Sequence, residues 1–334
     1  MSASAESTTD EARVGTKVPD FFVVGQPKSG TTAIYEMLRR HPQIYMPDIK
    51  EPMFFASDLR PNARAQASGH ERRPVFPSTY EEYLSLFAPA TADQRVGEAS
   101  SSYLRSRVAA SAIAEVQPSA RIIAILREPA SLLRSLHLQR LQEHVESEPD
   151  FAQAMALEET RQQGIRARPR DRPQMLLYSD FIHYVEQLRR YDAVFAREQM
   201  LVLIYDDFRR DNEGTMRGVL RFLQVDDAAP IEALRANPTV AVRSERLERM
   251  VRGAQSGRGP LSRPARTIVK AVTPQQLRRR LFYPLRRRVM YRAPERVDET
   301  VMAELRRRFK PEVVALSEYL DRDLVALWGY DSLE

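Results

Sequence analysis

The sequence predicts a three-layer α/β protein in which helices cover both faces of a mostly parallel central sheet. Three short, largely apolar runs, at 21–24, 121–126 and 200–205, have the length and composition of buried strands. Helical spacing follows the first run, where Ile34 and Leu38 lie four residues apart. Strands that alternate with helices favour a parallel sheet that is covered on both sides.

The remaining elements follow in chain order. A fourth strand begins at Arg95 and leads into a loop, and Ile44 belongs to a short apolar piece. Pro42 disfavours helix at the residue before it, and Pro129 suits the first turn of a helix. The apolar spacing predicts helices over 32–40, 80–87, 106–115, 130–145, 150–164, 178–197, 213–223 and 297–309, and a further piece over 312–328.

The chain length of 334 residues allows one large α/β domain. We expect a disordered N-terminal tail over 1–18 and a single domain over 19–334. Within that domain, 58–79 has the composition of a lid or surface loop, and 253–296 that of a basic C-terminal excursion.

Composition excludes several classes of chemistry. The chain has no cysteine, which rules out thiol catalysis, disulfides and cysteine zinc sites, and its five histidines lack zinc-type spacing. No apolar run approaches the roughly 20 residues of a membrane span, and the start lacks the apolar core of a secretory signal. We expect a cytoplasmic, metal-independent protein.

The net charge is +6, and only five of the 51 basic residues are lysine. Arginine suits the recognition of phosphate and sulfate. A compositional bias towards arginine explains the excess equally well, so the charge permits an acidic ligand without identifying one.

The segment from Gly25 to Gly30 joins the first strand to the first helix. A glycine-bounded loop in this place directs backbone N–H groups and a helix N-terminus at an anion. Lys28 adds a positive charge. In nucleotide triphosphatases the lysine follows the second glycine directly, whereas here Thr31 holds that position. The loop is therefore P-loop-like, but the position of its lysine argues against a triphosphatase.

Two motifs together resemble the sulfotransferases that use 3′-phosphoadenosine-5′-phosphosulfate (PAPS). The segment 26–32 looks like their 5′-phosphosulfate loop, and Arg127-Glu-Pro with Ser135 looks like their 3′-phosphate motif. Both motifs follow a strand, and they lie about 100 residues apart. The resemblance implies that the cofactor is bound by Gln26, Pro27, Lys28, Ser29, Gly30, Thr31, Thr32, Arg127 and Ser135.

The resemblance extends over roughly residues 20 to 330 and is greatest to bacterial members related to the heparan-type and carbohydrate sulfotransferases. It implies the sulfotransferase fold and an enzyme of the EC 2.8.2 type. Such an enzyme moves a sulfuryl group from PAPS to a hydroxyl, yields adenosine 3′,5′-bisphosphate (PAP) and needs no metal.

The segment from Lys50 to Phe55 resembles the Glu-Pro-x-Phe-Phe segment of these relatives. The resemblance implies that Glu51 is the general base, because an attacking alcohol must lose its proton. It also places Phe54 and Phe55 at the acceptor.

The segment from Gly97 to Tyr103 resembles the Gly-Glu-Lys-Ser-Pro-x-Tyr block of the family, with Ala99 in place of its lysine. That replacement argues against a heparan-like acceptor. It leaves Lys28 as the catalytic cation. Tyr103 and Tyr184 are further candidates for the acceptor or cofactor pocket, and a core position explains Tyr184 equally well.

The glycine-bearing cofactor loop of the family has no clear counterpart, and Arg243 or the segment 253–259 is a candidate replacement. The arginine clusters at 278–280 and 286–288 are interpreted as part of a solvent-exposed face. Peripheral contact of these clusters with a membrane surface is the alternative. No nucleic-acid module is recognisable. The expected partner is a small-molecule, glycan or lipid acceptor with a free hydroxyl.

Two alternatives remain open. One is a P-loop kinase or triphosphatase, in which Asp206 or Asp207 at a strand end accompanies magnesium. The other is a non-catalytic PAP-binding protein. The loops after Val24, Val96 and Leu126 are expected to converge, because ligands of parallel sheets bind at the carboxyl ends of the strands.

Overall fold

The computed structural model describes residues 17–60, 76–143, 145–163, 173–232, 241–242, 291–292 and 298–332. The described residues fall into two compact units. The first lies within Met1–Leu133, Leu177–Asn237 and Ala303–Glu334, and the second within Arg134–Leu176 and Pro238–Met302. The single domain over 19–334 stays a prediction.

The first unit contains a five-stranded sheet with the strand order β2-β3-β1-β4-β5. Every neighbouring pair in it is parallel; for example, Val23 of the central strand lies opposite Ala99 on one side and Ile123 on the other. This confirms the α/β class with a mostly parallel sheet. The strands are β1 (Phe21–Gly25), β2 (Ile44–Tyr45), β3 (Arg95–Ala99), β4 (Arg121–Leu126) and β5 (Met200–Ile204).

The second unit contains a short antiparallel pair, β6 (Ala241–Val242) and β7 (Tyr291–Arg292). The described helices of both units are α1 (Thr31–Leu38), α2 (Tyr80–Ser85), α3 (Ala109–Val116), α4 (Pro129–Gln142), α5 (Phe151–Ala156), α6 (Glu158–Gln162), α7 (Tyr184–Asp192), α8 (Tyr205–Arg210), α9 (Asn212–Leu223), α10 (Glu299–Leu320) and α11 (Leu324–Leu327).

The core lies on the central strands. All five residues of β1 are buried, which explains its uninterrupted apolar sequence, since a strand covered on both faces does not alternate. Helices α1 and α9 supply Leu38 and Leu220 to one cluster with Phe21 and Ile123 of the sheet. Burial of each such side chain contributes about 1.5–3 kcal/mol. This packing holds the strand ends in place.

Several helices differ from their predicted bounds. The predicted 178–197 helix is a 3₁₀ turn at Ser179–Phe181 followed by α7, and the predicted 150–164 helix divides at Leu157. Near the end of the chain, α10 continues through Pro311, where two separate pieces were predicted. Proline removes one helix hydrogen bond. Phe309 and Val313, on either side of it, are both buried, and this burial keeps the helix continuous.

Candidate active site

Three loops meet at the carboxyl edge of the parallel sheet. Arg127, just after β4, donates from Nη1 to the carbonyl oxygen of Lys28, which follows β1, at 2.8 Å. The backbone N–H of Glu51 donates to the carbonyl oxygen of Ala99 at the end of β3, at 3.0 Å. In the loop after β3, the backbone N–H of Leu104 donates to the carbonyl oxygen of Val24 at 2.7 Å. The structure therefore brings together the three loops that were expected to converge.

The loop between β1 and α1 is shaped to present N–H groups. Gly30 adopts a left-handed conformation with φ of 95° as the residue before the helix, and Lys28 has φ of 62°. Such values are strained for lysine and natural for glycine. No side chain caps the N-terminus of α1, and its first turn holds no acid. The first N–H groups of a helix lack partners inside the helix, so this end suits an anion.

Gln26, at the start of the loop, is fully buried. Its Nε2 donates to Oε1 of Gln187 on α7, and Nε2 of Gln187 donates to the carbonyl oxygen of Asp180 at 2.8 Å. The Oε1 atom of Gln26 has no hydrogen-bond partner within the described chain. A buried amide oxygen without a donor is costly, and so it is a ready acceptor. The neighbouring Ser29 is also fully buried.

Arg127 is held from three directions. Beyond its bond to Lys28, its guanidinium carbon lies 4.8 Å from the ring centroid of Tyr205, and its carbonyl oxygen accepts from the hydroxyl of Tyr184 at 2.8 Å. Burial lowers the pKa of Arg127, because desolvation disfavours its charge. Arginine nevertheless stays protonated at neutral pH. The site thus has a fixed, partly desolvated cation beside the loop.

The residues after Arg127 begin α4. The carboxylate of Glu128 accepts from the backbone N–H groups of Ala130 and Ser131 at 2.9 and 2.7 Å, and from the hydroxyl of Tyr330 at 2.6 Å. Ser135, eight residues after Arg127, lies in the same helix and is 2% exposed. Its predicted role as a phosphate ligand stays a prediction.

Glu51 is held by hydrogen bonds and an ion pair. Its Oε1 accepts from Nζ of Lys50 at 2.7 Å and from Oγ of Ser101 at 2.8 Å, and its Oε2 accepts from the N–H of Ser101 at 3.2 Å. One third of the Glu51 side chain is exposed. A carboxylate that is both oriented and accessible can accept a proton from a bound molecule.

A second carboxylate, Glu98 on β3, lies buried near Glu51. It accepts from the hydroxyl groups of Ser100, Tyr83 and Tyr103 at 2.6, 3.0 and 2.8 Å. Desolvation raises the pKa of Glu98 to about 7, against the opposing effect of these hydrogen bonds.

The predicted acceptor-binding aromatic residues have different surroundings. Phe54 is half-buried and stacks on Tyr83 with ring centroids 4.6 Å apart. Phe55 and Tyr103 are buried together, with centroids 6.0 Å apart, and Tyr184 is fully buried. Phe54 is the only one of the four that is not buried, so it is the most accessible to a bound molecule. Contact with the acceptor stays a prediction for all four.

Several predicted features lie outside the described residues. These are Arg243, the segment 253–259, the arginine clusters at 278–280 and 286–288, and most of the predicted tail, lid and basic excursion. Within the described part of the chain, no group of three or more acidic or histidine side chains could hold a metal ion. No described helix is both long and apolar enough to cross a membrane.

Sequence reasoning missed three supporting residues. Ser101 and Tyr205 each follow the end of a strand, and that position is the signal that would have drawn attention to them. Gln187 lies 161 positions from its partner Gln26, and no pattern in the sequence links the two.

Comparison with known proteins identifies the family. The profile described as "Sulfotransferase family" matches residues 19–229, which is more than half of the chain. The chain belongs to the sulfotransferase family. This result confirms the resemblance carried by the loop and by the Arg127 motif.

The relatives of this sulfotransferase-family chain include carbohydrate sulfotransferase 15 of Mus musculus, which is 27% identical over 62% of this chain and 44% of that protein. The bifunctional heparan sulfate N-deacetylase/N-sulfotransferase 3 of Homo sapiens is 27% identical over 66% of this chain and 23% of that protein. The chain thus spans less than half the length of these curated relatives.

Among solved structures, the sulfotransferase from Alicyclobacillus acidocaldarius matches with a TM-score of 0.62 and 24% identity. The match covers 93% of this chain and 98% of that one. At this level of identity the match shows a shared fold.

Proposed function

We propose that the protein transfers a sulfuryl group from PAPS to a hydroxyl of a carbohydrate, glycolipid or natural-product acceptor. The observation that carries this proposal is the 2.8 Å hydrogen bond from Arg127 to the carbonyl oxygen of Lys28, which joins the two cofactor motifs at one edge of the sheet. Membership of the sulfotransferase family supports it, as do relatives named for carbohydrate and heparan sulfate sulfotransfer.

The residues present fit the phosphosulfate of PAPS. The uncapped N-terminus of α1 offers N–H groups, and the neighbouring guanidinium of Arg127 offers charge. When bound, PAPS supplies the sulfuryl group that is transferred. We propose that the loop over 26–32 holds the 5′-phosphosulfate, that Arg127 and Ser135 hold the 3′-phosphate, and that Arg243 contributes to the cofactor site.

The chain itself performs the proton transfer and the charge balance. Glu51 accepts the proton of the acceptor hydroxyl, and Lys50 and Ser101 keep its carboxylate in one orientation. Lys28 balances the negative charge that grows on the phosphate side as the sulfuryl group leaves. Phe54 contributes an apolar surface to the acceptor.

The two alternative functions, a kinase or triphosphatase and a non-catalytic PAP-binding protein, would require other properties of the chain. In a kinase or triphosphatase, Asp206 or Asp207 would have to be available to magnesium. Here Asp206 accepts from Nε1 of Trp328 at 3.0 Å, and Asp207 pairs with Arg322 at 2.5 Å. These contacts favour a structural role for both carboxylates.

A non-catalytic binding protein would retain PAP binding without transfer. A cytoplasmic location and metal independence stay predictions.

The test is a screen with ³⁵S-labelled PAPS against carbohydrate, glycolipid and phenolic or other natural-product hydroxyls, with mass analysis of the product. We expect label transfer to at least one class without added metal, and thermal stabilisation by PAP without magnesium. Stabilisation by PAP with no transfer to any class would favour the binding protein. A magnesium-dependent ATPase activity without PAP stabilisation would contradict the proposal.

A further inference from the structure

Glu98 forms the centre of a buried hydroxyl cluster. It is completely buried on β3, and its two carboxylate oxygens accept from three hydroxyl groups. Burial of a carboxylate is costly unless its oxygens are satisfied. The proposed reaction does not use this group, so its presence calls for a separate reason.

Two of the three hydroxyl groups also contact the loop that carries Glu51. Oγ of Ser100 accepts from the backbone N–H of Met53 at 3.0 Å, and the hydroxyl of Tyr103 accepts from the N–H of Phe55 at 3.2 Å. The carboxylate of Glu98 is thereby linked to two backbone positions of the loop through one hydroxyl each.

The direction of these hydrogen bonds depends on Glu98. A hydroxyl group has one proton to donate, and the carboxylate of Glu98, when ionised above its pKa of about 7, can only accept. Because the protons of Ser100 and Tyr103 are directed to Glu98, the lone pairs of both oxygens face the loop N–H groups. A side chain that donates a proton at position 98, such as an amide, would compete with the loop N–H groups for the lone pairs of Ser100 and Tyr103.

The loop needs such support because its backbone is strained. Glu51 and Met53 have φ of 62° and 53°, both in the left-handed region. This conformation is unfavourable for residues with a side chain and persists where surrounding contacts hold it. The two relayed hydrogen bonds reach the loop at Met53 and at Phe55, just beyond Glu51.

We propose that Glu98 is a positioning residue that holds the 51–55 loop, and with it the carboxylate of Glu51, through the hydroxyl groups of Ser100 and Tyr103. The inference rests on the proposed function for its catalytic consequence. Its structural claim concerns the loop backbone and can be measured without any substrate.

The structural test is hydrogen–deuterium exchange of the full chain, followed by mass spectrometry of peptides that cover 51–56 and 26–34. Tyr103→Phe removes the acceptor for the N–H of Phe55. Tyr83→Phe is the matched control, since the hydroxyl of Tyr83 donates to the same Oε2 of Glu98 without bonding the loop. We expect at least tenfold faster exchange in the 51–56 peptide of Tyr103→Phe, and less than twofold change in Tyr83→Phe.

The kinetic test uses Glu98→Gln at pH 8, above the raised pKa of Glu98, so that an amide that donates is compared with a carboxylate that only accepts. We expect kcat for sulfuryl transfer to fall at least tenfold while the Kd of PAP stays within twofold, because the 26–32 loop is not part of the relay. Tyr103→Phe should follow the same pattern, and Tyr83→Phe should keep kcat within threefold. Since Tyr103→Phe retains the ring, it provides the answer if Glu98→Gln does not fold.

The outcomes separate the two proposals. Equal exchange of the 51–56 peptide in Tyr103→Phe and Tyr83→Phe would overturn the positioning role, whatever the enzyme does. A loss of PAP affinity equal to the loss of kcat would also overturn it, because the effect would then not be confined to the 51–55 loop. A wild-type protein that transfers label to no acceptor contradicts the proposed function alone and leaves the exchange test valid.

Discussion

Arg127 and Lys28, which lie 99 residues apart in the chain, are joined by a hydrogen bond from the guanidinium to the lysine carbonyl oxygen. The bond connects the loop after β1 with the end of β4, two neighbouring strands of the sheet. The arginine therefore stabilises the shape of the loop and also adds positive charge beside it. A substitution at Arg127 should affect both properties.

Arg127→Lys is expected to weaken PAP binding at least tenfold. A lysine cannot reproduce a planar group that donates to the Lys28 carbonyl oxygen and stacks on Tyr205. Isothermal titration with PAP measures the effect. The matched control is Arg121→Lys at the opposite end of β4, where the side chain donates to the carbonyl oxygen of Phe222. Similar losses of affinity in the two variants would contradict a local role for Arg127.

Glu51→Gln is expected to abolish turnover and to retain PAP binding within twofold, because glutamine keeps the shape of the side chain but accepts no proton at neutral pH. Lys28→Ala should also abolish turnover, through the loss of the balancing charge. Label transfer and PAP titration on the same preparations give both quantities. Full activity in Glu51→Gln would exclude Glu51 as the base.

Gly30→Ala is expected to destabilise the protein by about 1–2 kcal/mol, since φ is 95° and a Cβ would lie 3.1 Å from the ring of Phe208. Gly218→Ala is the control. Gly218 lies within α9, where an added Cβ meets nothing within 4 Å, so we expect stabilisation of about 0.5–1 kcal/mol. Urea unfolding of both variants measures the difference, and a stabilised Gly30→Ala would contradict the strained geometry.

Glu98 should make stability depend on pH. Folding raises its pKa from 4.5 to about 7, chiefly by desolvation and also through the nearby charge of Glu51, while Ser100, Tyr103 and Tyr83 lower it. The folded state thus binds the proton more tightly than the unfolded state. The resulting stability is complete below about pH 4.5 and is lost as the pH rises through about 7, a change on the order of 3 kcal/mol.

Urea unfolding between pH 4.5 and 8 tests this prediction, with Glu98→Gln as the variant that lacks the titrating group. The unfolding free energy of the wild type should fall more steeply over this range than that of Glu98→Gln. Parallel profiles would show that Glu98 keeps its ordinary pKa in the folded protein.

Tyr330→Phe is expected to cost about 1–3 kcal/mol, because it removes a 2.6 Å hydrogen bond to Oε1 of the buried Glu128, which retains the N–H of Ala130 as a donor. Burial also raises the pKa of Tyr330, which keeps its hydroxyl protonated as a donor. Tyr319→Phe removes a hydroxyl that donates to the exposed Asp192 and should cost about 0.5 kcal/mol or less. Equal unfolding free energies for the two variants would contradict the prediction.

Much of the fold could be predicted because its signals are local. The residues of β4 from Ile122 to Leu126 are apolar without interruption, and its predicted bounds, 121–126, agree with the structure. The bounds of the helices were less predictable. The spacing around Pro311 predicted two pieces, whereas burial of Phe309 and Val313 keeps one helix. Tertiary packing outweighed the local preference of proline there.

By itself, the sequence determined the strand–loop–helix at Gly25–Gly30 and the Arg127 motif, since each depends on residues close together in the chain. It also determined the family, which matches over residues 19–229. Only the tertiary structure decided that Arg127 bonds the Lys28 carbonyl oxygen, that Ser101 orients Glu51, and that Glu98 is buried at a raised pKa. The physical reason is that hydrogen-bond partners and desolvation depend on which distant strand ends meet. Parallel pairing of β1, β3 and β4 brings them to one edge, where their side chains acquire roles that no local pattern records.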